Sequence, residues 1–344
     1  MIKKILSKSK KLILIAEISG NHEGSLKKAK KLILTAKKNG AQIVKLQSYS
    51  PDTITIKSNR NEFKIKDGLW KGQTLWNLYN RAQTPFEWHK ELFSYAKKIN
   101  ITCFSSPFDE AAVDLLESLN CPFYKVASFE ITHLPLIKKI AKTKKPIIIS
   151  TGMANLNEIN SAYTVAKKFG CPEIILLYCV SNYPSNNIDF NLNNIKILRK
   201  KFKCEVGLSD HSNDPIIAQT AIAMGVRIIE KHIALENQKN AVDIDFSLKG
   251  KEIKKFIDKM AEVQNIIGKN FFHTSLKERK NIKFRRSIYV IKTLKIGDKI
   301  TKDNIKVIRP SNGLDPKYYD SILGKEIKHT IKSGTPLKFT HIKK

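Results

Sequence analysis

Residues 146–180 read PIIISTGMANLNEINSAYTVAKKFGCPEIILLYCV. A short apolar run (146–151) gives way to an amphipathic stretch, a glycine at 170 and a second apolar run (173–180). Two apolar runs separated by a segment of helical period are the pattern of strands joined by a helix around a parallel sheet. Gly170 stands where such a helix should end. The same unit repeats in both directions. Further candidate strands lie at 12–19, 42–47, 101–107 and 123–128 before it and at 204–209 and 226–233 after it. Amphipathic stretches such as SLKKAKKLILTAKKNG and DPIIAQTAIAMG fill the intervals, with Gly40 and Gly225 at further helix ends. Eight strands with intervening helices over roughly 260 residues predict an α/β fold, a closed (β/α)8 barrel. The competing arrangement is an open doubly wound sheet, but no Gly-rich dinucleotide loop follows the first strand.

Two features break the rhythm. Residues 48–88 lie between the second strand and its helix, and a loop of that length in a compact domain is usually functional. It holds all three tryptophans (70, 76 and 88), which suits a lid over a substrate. After a helix near 250–267 the pattern changes, and from about residue 285 the chain reads as short strands and turns. KIGDKITKDNI (295–305) and KSGTPLKFTHI (332–342) share a Lys, a Gly and an Ile at equal spacing, which predicts a small β domain with internal pseudo-symmetry. The expected division is a barrel over 1–267, a linker over 268–284 and a β-rich domain over 285–344. About 60 residues make a marginal core on their own, so this domain should pack on something, such as a partner subunit.

The 344 residues carry a formal net charge of +31. So basic a balance raises nucleic acid or an anionic membrane as partners. However, only eight of the 62 basic residues are arginines, and the lysines are spread from end to end rather than clustered. They read as solvated helix faces; no nucleic-acid partner is expected, while the positive field favours an anionic substrate. The start, MIKKILSKSKKLILIAEISG, imitates a signal peptide, but LILIA falls short of the usual apolar region of about 7–15 residues and Glu17 ends it. No run approaches the roughly 20 apolar residues of a membrane span. The five cysteines (103, 121, 171, 179, 204) are odd in number and form no CxxC pair, so reduced thiols in a cytoplasmic protein without a membrane partner are expected.

In a barrel of this kind the active site lies at the C-terminal ends of the strands. Nearly every end carries polar residues: Glu17, Asn21 and His22 after the first strand, Lys45 and Gln47 on the second, Ser105 and Ser106 on the third, Lys125, Ser128 and Glu130 on the fourth. Ser150 and Thr151 end the fifth, Ser181, Asn182 and Tyr183 follow the sixth, Ser209 and His211 end the seventh and His232 the eighth. Lys45 and Lys125 sit inside apolar strands, where an ammonium is seldom tolerated without an anion. A bound anion is the first reading, pairing to a core carboxylate the second, and a Schiff base is less favoured. Ser106, Ser128 and Ser150 add compact donors and complete a phosphate or carboxylate cradle. His211 and His232 end consecutive strands and can share one metal ion, whose incomplete shell leaves room for water and substrate. A hydrogen-bonding role toward phosphate and solvated surface histidines are the alternatives. The Ser-Asp-His run at 209–211 is a weak triad: Ser209 has no Gly-x-Ser-x-Gly elbow, and Asp210 points to the other side of an extended strand as a brace. His22 reads as a brace of the barrel rim or a site residue, and His89 and His133 as surface residues.

Taken in order, IAEISGNHEGS, GAQIVKLQSY, FSSPFD, YKVASFEITHLPLI, PIIISTGMANLNEI, GLSDHS and IIEKHIAL resemble the motifs of the sialic acid synthase family. VIRPSNGLDPKYYDSILGK followed by IKSGTPL resembles that family's antifreeze-like (SAF) domain, so the resemblance runs over residues 10–342. PDTITI and LWKGQTLWNLYNRAQTPFEWH are closer to the branch whose sugar is 2,4-diacetamido-2,4,6-trideoxy-L-altrose than to the branch using N-acetylmannosamine. The resemblance implies a TIM barrel with a small C-terminal SAF domain. It also implies a condensation of phosphoenolpyruvate with the open-chain aldehyde of an amino sugar, with release of phosphate, a divalent metal (Mn2+ or Mg2+) and a domain-swapped homodimer. Lys45, Ser106, Lys125, Ser128, Ser150 and Ser209 fall on its phosphoenolpyruvate-binding positions, and His211 and His232 on its metal positions. Gln47, Glu130, Tyr183 and Asp243 fall on positions that contact or orient the sugar, and Glu17 on a further acidic position. Arg309 falls on the arginine that reaches the partner's barrel. Glu130 is the candidate for handling a water's proton. Three places depart from the family pattern: AVD at 241–243 where Gly-Pro-Asp is usual, no second proline after Tyr183, and Ser106 in place of Thr.

Overall fold

The computed structural model describes residues 12–268 and 271–343, so the basic start of the signal-like segment, residues 1–11, lies outside the described residues. The chain divides into two units, Met1–Gly268 and Lys269–Lys344. In the first, eight strands pair in parallel, each with the next: β1 (Ile13–Glu17), β2 (Ile43–Ser48), β3 (Thr102–Pro107), β4 (Tyr124–Val126), β5 (Ile147–Ser150), β6 (Ile174–Cys179), β7 (Glu205–Asp210) and β8 (Ile228–Ala234). β1 also pairs with β8, which closes the barrel. Each of the eight apolar runs is therefore a strand, and the open-sheet alternative falls. Among the described residues no helix is long and apolar enough to cross a membrane.

The segment 146–180 shows how the unit is specified. Ile147, Ile148 and Ile149 are all buried, as strands lying between a barrel interior and a helical layer must be. Asn155 starts the next helix, Leu156–Lys168, by accepting from the amides of Asn157 and Glu158, while the Glu158 carboxylate accepts from the Asn155 amide. Such a reciprocal cap contributes about 1 kcal/mol. The helix buries Ile159, Ala162 and Ala166 on one stripe. It stops where Gly170 takes a φ of +99°, a left-handed value that a side chain disfavours. Gly40 and Gly225 likewise have positive φ, just after the helices Leu26–Lys38 and Ile216–Ala223.

Strand alternation then sorts the polar residues. Glu17 stands in register with both Lys45 and His232, Gln47 with Ser106, and Ser209 with Glu230, which brings these side chains to one end of the barrel. Asp210 and Lys231 form a separate buried ion pair at 3.0 Å, and Asp210 also accepts from the Ser212 amide and hydroxyl. Asp210 is thus the brace expected from its parity, and the triad reading dissolves.

Two expectations need correction. His89 is fully buried rather than on the surface, because it lies on the inner side of the helix Phe86–Lys98. Its Nδ1–H donates to the Pro85 carbonyl at 3.1 Å, leaving Nε2 to accept from the Ser48 hydroxyl at 2.6 Å, and burial lowers its pKa. Trp88 belongs to the same helix, is half-buried against the barrel core and packs edge-on against buried His22 at 5.4 Å, so it is anchored to the barrel and not part of a lid. His22 is a rim brace: its Nδ1 accepts from the Gly24 amide, its Nε2 bonds Thr84, and burial lowers its pKa to about 4 against the pull of Asp243 and Glu23. The rest of the 48–88 insertion folds into two short helices, Pro51–Ile54 and Leu75–Ala82, and Trp70 between them donates to the Val242 carbonyl at 3.2 Å.

The second unit pairs Ser287–Val290 antiparallel with Ile305–Ile308 around a core that includes Ile288, Val290, Ile300, Ile322, Ile327 and Leu337. The internal repeat is structural: Gly297 and Gly334 both have positive φ, and Ile300 and Leu337, then Ile305 and Ile342, are buried at matching places. The segment 271–284 carries the short helix Leu276–Arg279 and a 3-10 turn, Lys280–Phe284.

Candidate active site

At the C-terminal end of the barrel, Lys45 on β2 and Lys125 on β4 are both buried, and Glu230 on β8 stands 3.7 Å from each ammonium. Lys45 also forms an ion pair with Glu17 and donates to the Ser106 hydroxyl at 3.3 Å, while the Ser209 hydroxyl donates to Glu230 at 3.2 Å. The lysines therefore meet core carboxylates, the second of the two leading readings, but the pairing is incomplete. A separation of 3.7 Å exceeds a hydrogen bond, so Glu230 meets the Lys125 ammonium as a charge and not as a hydrogen-bond acceptor. Burial lowers the Lys125 pKa, only partly offset by Glu230. For Lys45, burial is outweighed by Glu17 and Glu230, and the pKa rises. Burial would raise Glu230, yet Lys125, Lys45, His232 and His211 together bring it down to about 2, so it is a fixed anion.

Glu130 lies in the 3-10 turn Ser128–Glu130 after β4. Burial pushes its carboxyl up to about 7 against the pull of Lys125 and Lys45, and its Oε2 has no hydrogen-bond partner among the described residues. The buried Ser150 hydroxyl and Glu230 Oε2 also lack partners there. Unsatisfied buried polar atoms are uncommon, and their grouping beside the two lysines marks a place built for a polar ligand. Gly152 keeps that place open, since a Cβ there would collide with the hydroxyls of Ser181 and Ser128.

His211, just past β7, and His232 on β8 face each other with ring centroids 5.4 Å apart. The His211 Nδ1–H donates to the Val180 carbonyl at 3.1 Å, and His232 Nδ1 lies 3.4 Å from the Asp243 carboxylate. Asp243 is itself held by Asn21, whose Oδ1 accepts its amide at 2.9 Å, so the AVD variant keeps the carboxylate in place. Imidazoles whose Nδ1 faces a carbonyl or carboxylate leave Nε2 for a metal, the usual outer support of a ligating histidine. These residues fit a divalent ion. No cluster of three His, Cys, Asp or Glu able to hold one occurs among the described residues, so two imidazoles would leave coordination positions to water and substrate.

Tyr183 follows β6, its ring 4.5 Å from His211 and 5.4 Å from Phe246. Gln47 is half-buried at the end of β2, and Ser128 is buried. Arg309 is exposed on the second unit, directly after the strand Ile305–Ile308.

Sequence reading missed Glu230 and Cys179. Glu230 stands two residues before His232 in IIEKHI, hence on the same side of the strand, and a carboxylate inside an apolar strand was its signal. Cys179 ends β6 with Sγ 3.7 Å from His211 Nδ1. Burial would raise its thiol, but His211 and hydrogen bonds from Ser181 and Ser128 bring it to about 7. Nothing in the spacing of the cysteines could reveal that contact.

The NeuB family model matches residues 32–271, and the SAF domain model matches residues 285–343. A pseudaminic acid synthase of Campylobacter jejuni is 42% identical over 329 residues, spanning 96% of each chain. An N,N'-diacetyllegionaminic acid synthase of the same species is 38% identical over 320 residues, 92% of this chain and 96% of that one. Among solved structures, the N-acetylneuraminic acid synthetase of Leptospira borgpetersenii, in complex with citrate, superposes with a TM-score of 0.70 at 30% identity, over 79% of this chain and 90% of that one.

Proposed function

The chain belongs to the NeuB family and ends in an SAF domain, and from that premise we propose that it is a transferase condensing phosphoenolpyruvate with 2,4-diacetamido-2,4,6-trideoxy-L-altrose, the reaction of a pseudaminic acid synthase. The observation that carries the proposal is the buried group Lys45, Lys125, Ser106, Ser209 and Glu230 beside the paired imidazoles of His211 and His232. Such an arrangement suits a phosphorylated carboxylate held next to a carbonyl.

Lys45 and Lys125 hold the phosphate and carboxylate of phosphoenolpyruvate, with Ser106, Ser128, Ser150 and Ser209 as hydrogen-bond donors. Gln47, Tyr183, Asp243 and Glu17 line the sugar's side of the site. His211 and His232 would hold a divalent ion, Mn2+ or Mg2+, and the chemistry it would supply there is Lewis acidity toward an aldehyde oxygen. C3 of phosphoenolpyruvate bonds to the aldehyde carbon, and the fixed charges around it stabilise the cationic centre left at C2. Water adds there, and Glu130, near its own pKa at neutral pH, takes the proton. The proton lost from water balances the one gained by the aldehyde oxygen. Phosphate then leaves by C–O cleavage, and six carbons plus three make a nine-carbon 2-keto acid.

The SAF domain works across a domain-swapped homodimer, with Arg309 reaching the partner's barrel. Exposed Phe271, Phe272, Leu276 and Phe284 support burial of this segment against a second chain. Five free thiols and phosphoenolpyruvate as co-substrate support a cytoplasmic location. The 38% identity to a legionaminic acid synthase favours, as second reading, the same chemistry on another amino sugar. Phosphate release measured with the trideoxy-altrose sugar, the legionaminic precursor and N-acetylmannosamine decides between them. Turnover of the first is expected, and turnover of N-acetylmannosamine alone contradicts the proposal.

A further inference from the structure

We propose that Trp70 is a specificity-determining residue, part of an apolar wall that receives the C6 methyl group of a 6-deoxy sugar; the inference rests on the proposed function. Trp70 comes from the 48–88 insertion, and its indole stands 5.9 Å from Tyr183, whose ring is 4.5 Å from His211. Phe246 completes the wall, 5.4 Å from Tyr183 and 4.9 Å from His232. The only polar atom of the Trp70 side chain, Nε1, donates to the Val242 carbonyl at 3.2 Å, next to Asp243, so what remains of the side chain is apolar ring.

With the aldehyde carbon beside the two imidazoles, C6 lies five carbon–carbon bonds away, about 6 Å in an extended chain at about 1.5 Å a bond. Tyr183 is one ring beyond His211, and Trp70 one ring beyond Tyr183. A methyl group at C6 is buried there without loss. A hydroxyl at C6 gives up water and finds no partner on Trp70 or Phe246, a difference that typically lowers turnover about 10- to 100-fold.

The test compares kcat/KM for the 6-deoxy sugar and for its 6-hydroxy analogue of the same configuration, in wild type, Trp70→Phe and Trp70→Gln, with melting curves for each. Trp70→Phe, which loses the Val242 bond but keeps a ring, should retain most of the wild-type preference. Trp70→Gln, which offers the hydroxyl a partner, should lose about 10-fold or more of it. A preference unchanged in Trp70→Gln, or lost equally in Trp70→Phe, overturns the inference. A wild-type enzyme inactive on the 6-deoxy sugar overturns the proposed function and this inference with it.

Discussion

Replacing Glu130 by glutamine should remove activity and stabilise the unliganded protein, with the stabilisation growing as pH rises. Burial holds the Glu130 carboxyl at about 7 rather than at its ordinary 4.5. A displacement of that size corresponds to about 3 kcal/mol. Because the folded pKa is raised, the contribution to stability is fully present below pH 4.5 and is lost as pH climbs through about 7. Wild-type protein at pH 8 therefore carries a buried carboxylate that costs it about 3 kcal/mol, while Glu130→Gln carries none. The two should melt within a degree or two of each other near pH 4.5, and the variant should melt about 6–12 °C higher at pH 8 for a unit of this size. Phosphate release should fall about 100- to 10,000-fold in the variant. Wild-type kcat should rise with pH through about 7 as Glu130 ionises. Thermal denaturation at the two pH values, with an initial-rate assay, reads all of this. A melting difference independent of pH would refute the buried-carboxylate argument, and a variant with wild-type kcat would refute the proton-handling role.

Other changes probe separate parts of the site. Lys45→Met leaves Glu17 and Glu230 without their shared cation and should destabilise by about 3–5 kcal/mol at pH 7; denaturant unfolding with no loss would contradict the coupling. His211→Ala should abolish calorimetric Mn2+ binding to the unliganded protein as well as metal-restored turnover after chelation, and undiminished binding would exclude His211 as a ligand. Arg309→Ala should lower turnover without moving the melting of the barrel, and a fully active monomer would contradict the swapped dimer.

The barrel was legible because its information is periodic. Ile147–Ile149, the cap at Asn155 and the stop at Gly170 each carry a local signal that survives without tertiary contacts. Lys45, Lys125, His211 and His232 were legible for a related reason: polar residues at the ends of apolar strands converge once the strands close. What escaped depended on parity or packing. Glu230 lies in the middle of its strand, two residues before His232, and not at the strand's end. His89 sits at helical spacing on a buried stripe, but a lone histidine in a polar helix carries no sign of the Ser48 hydroxyl that receives it. Trp88 is close to Trp70 and Trp76 in sequence, whereas the start of the helix Phe86–Lys98 turns it toward His22.

The central claim, condensation of phosphoenolpyruvate with an amino-sugar aldehyde by C–O cleavage, is tested most directly with phosphoenolpyruvate carrying oxygen-18 at the bridging position. With metal and the trideoxy-altrose sugar, mass spectrometry should find an unlabelled nine-carbon 2-keto acid and the label in inorganic phosphate. Label retained in the sugar acid, or no nine-carbon acid at all, would contradict the account.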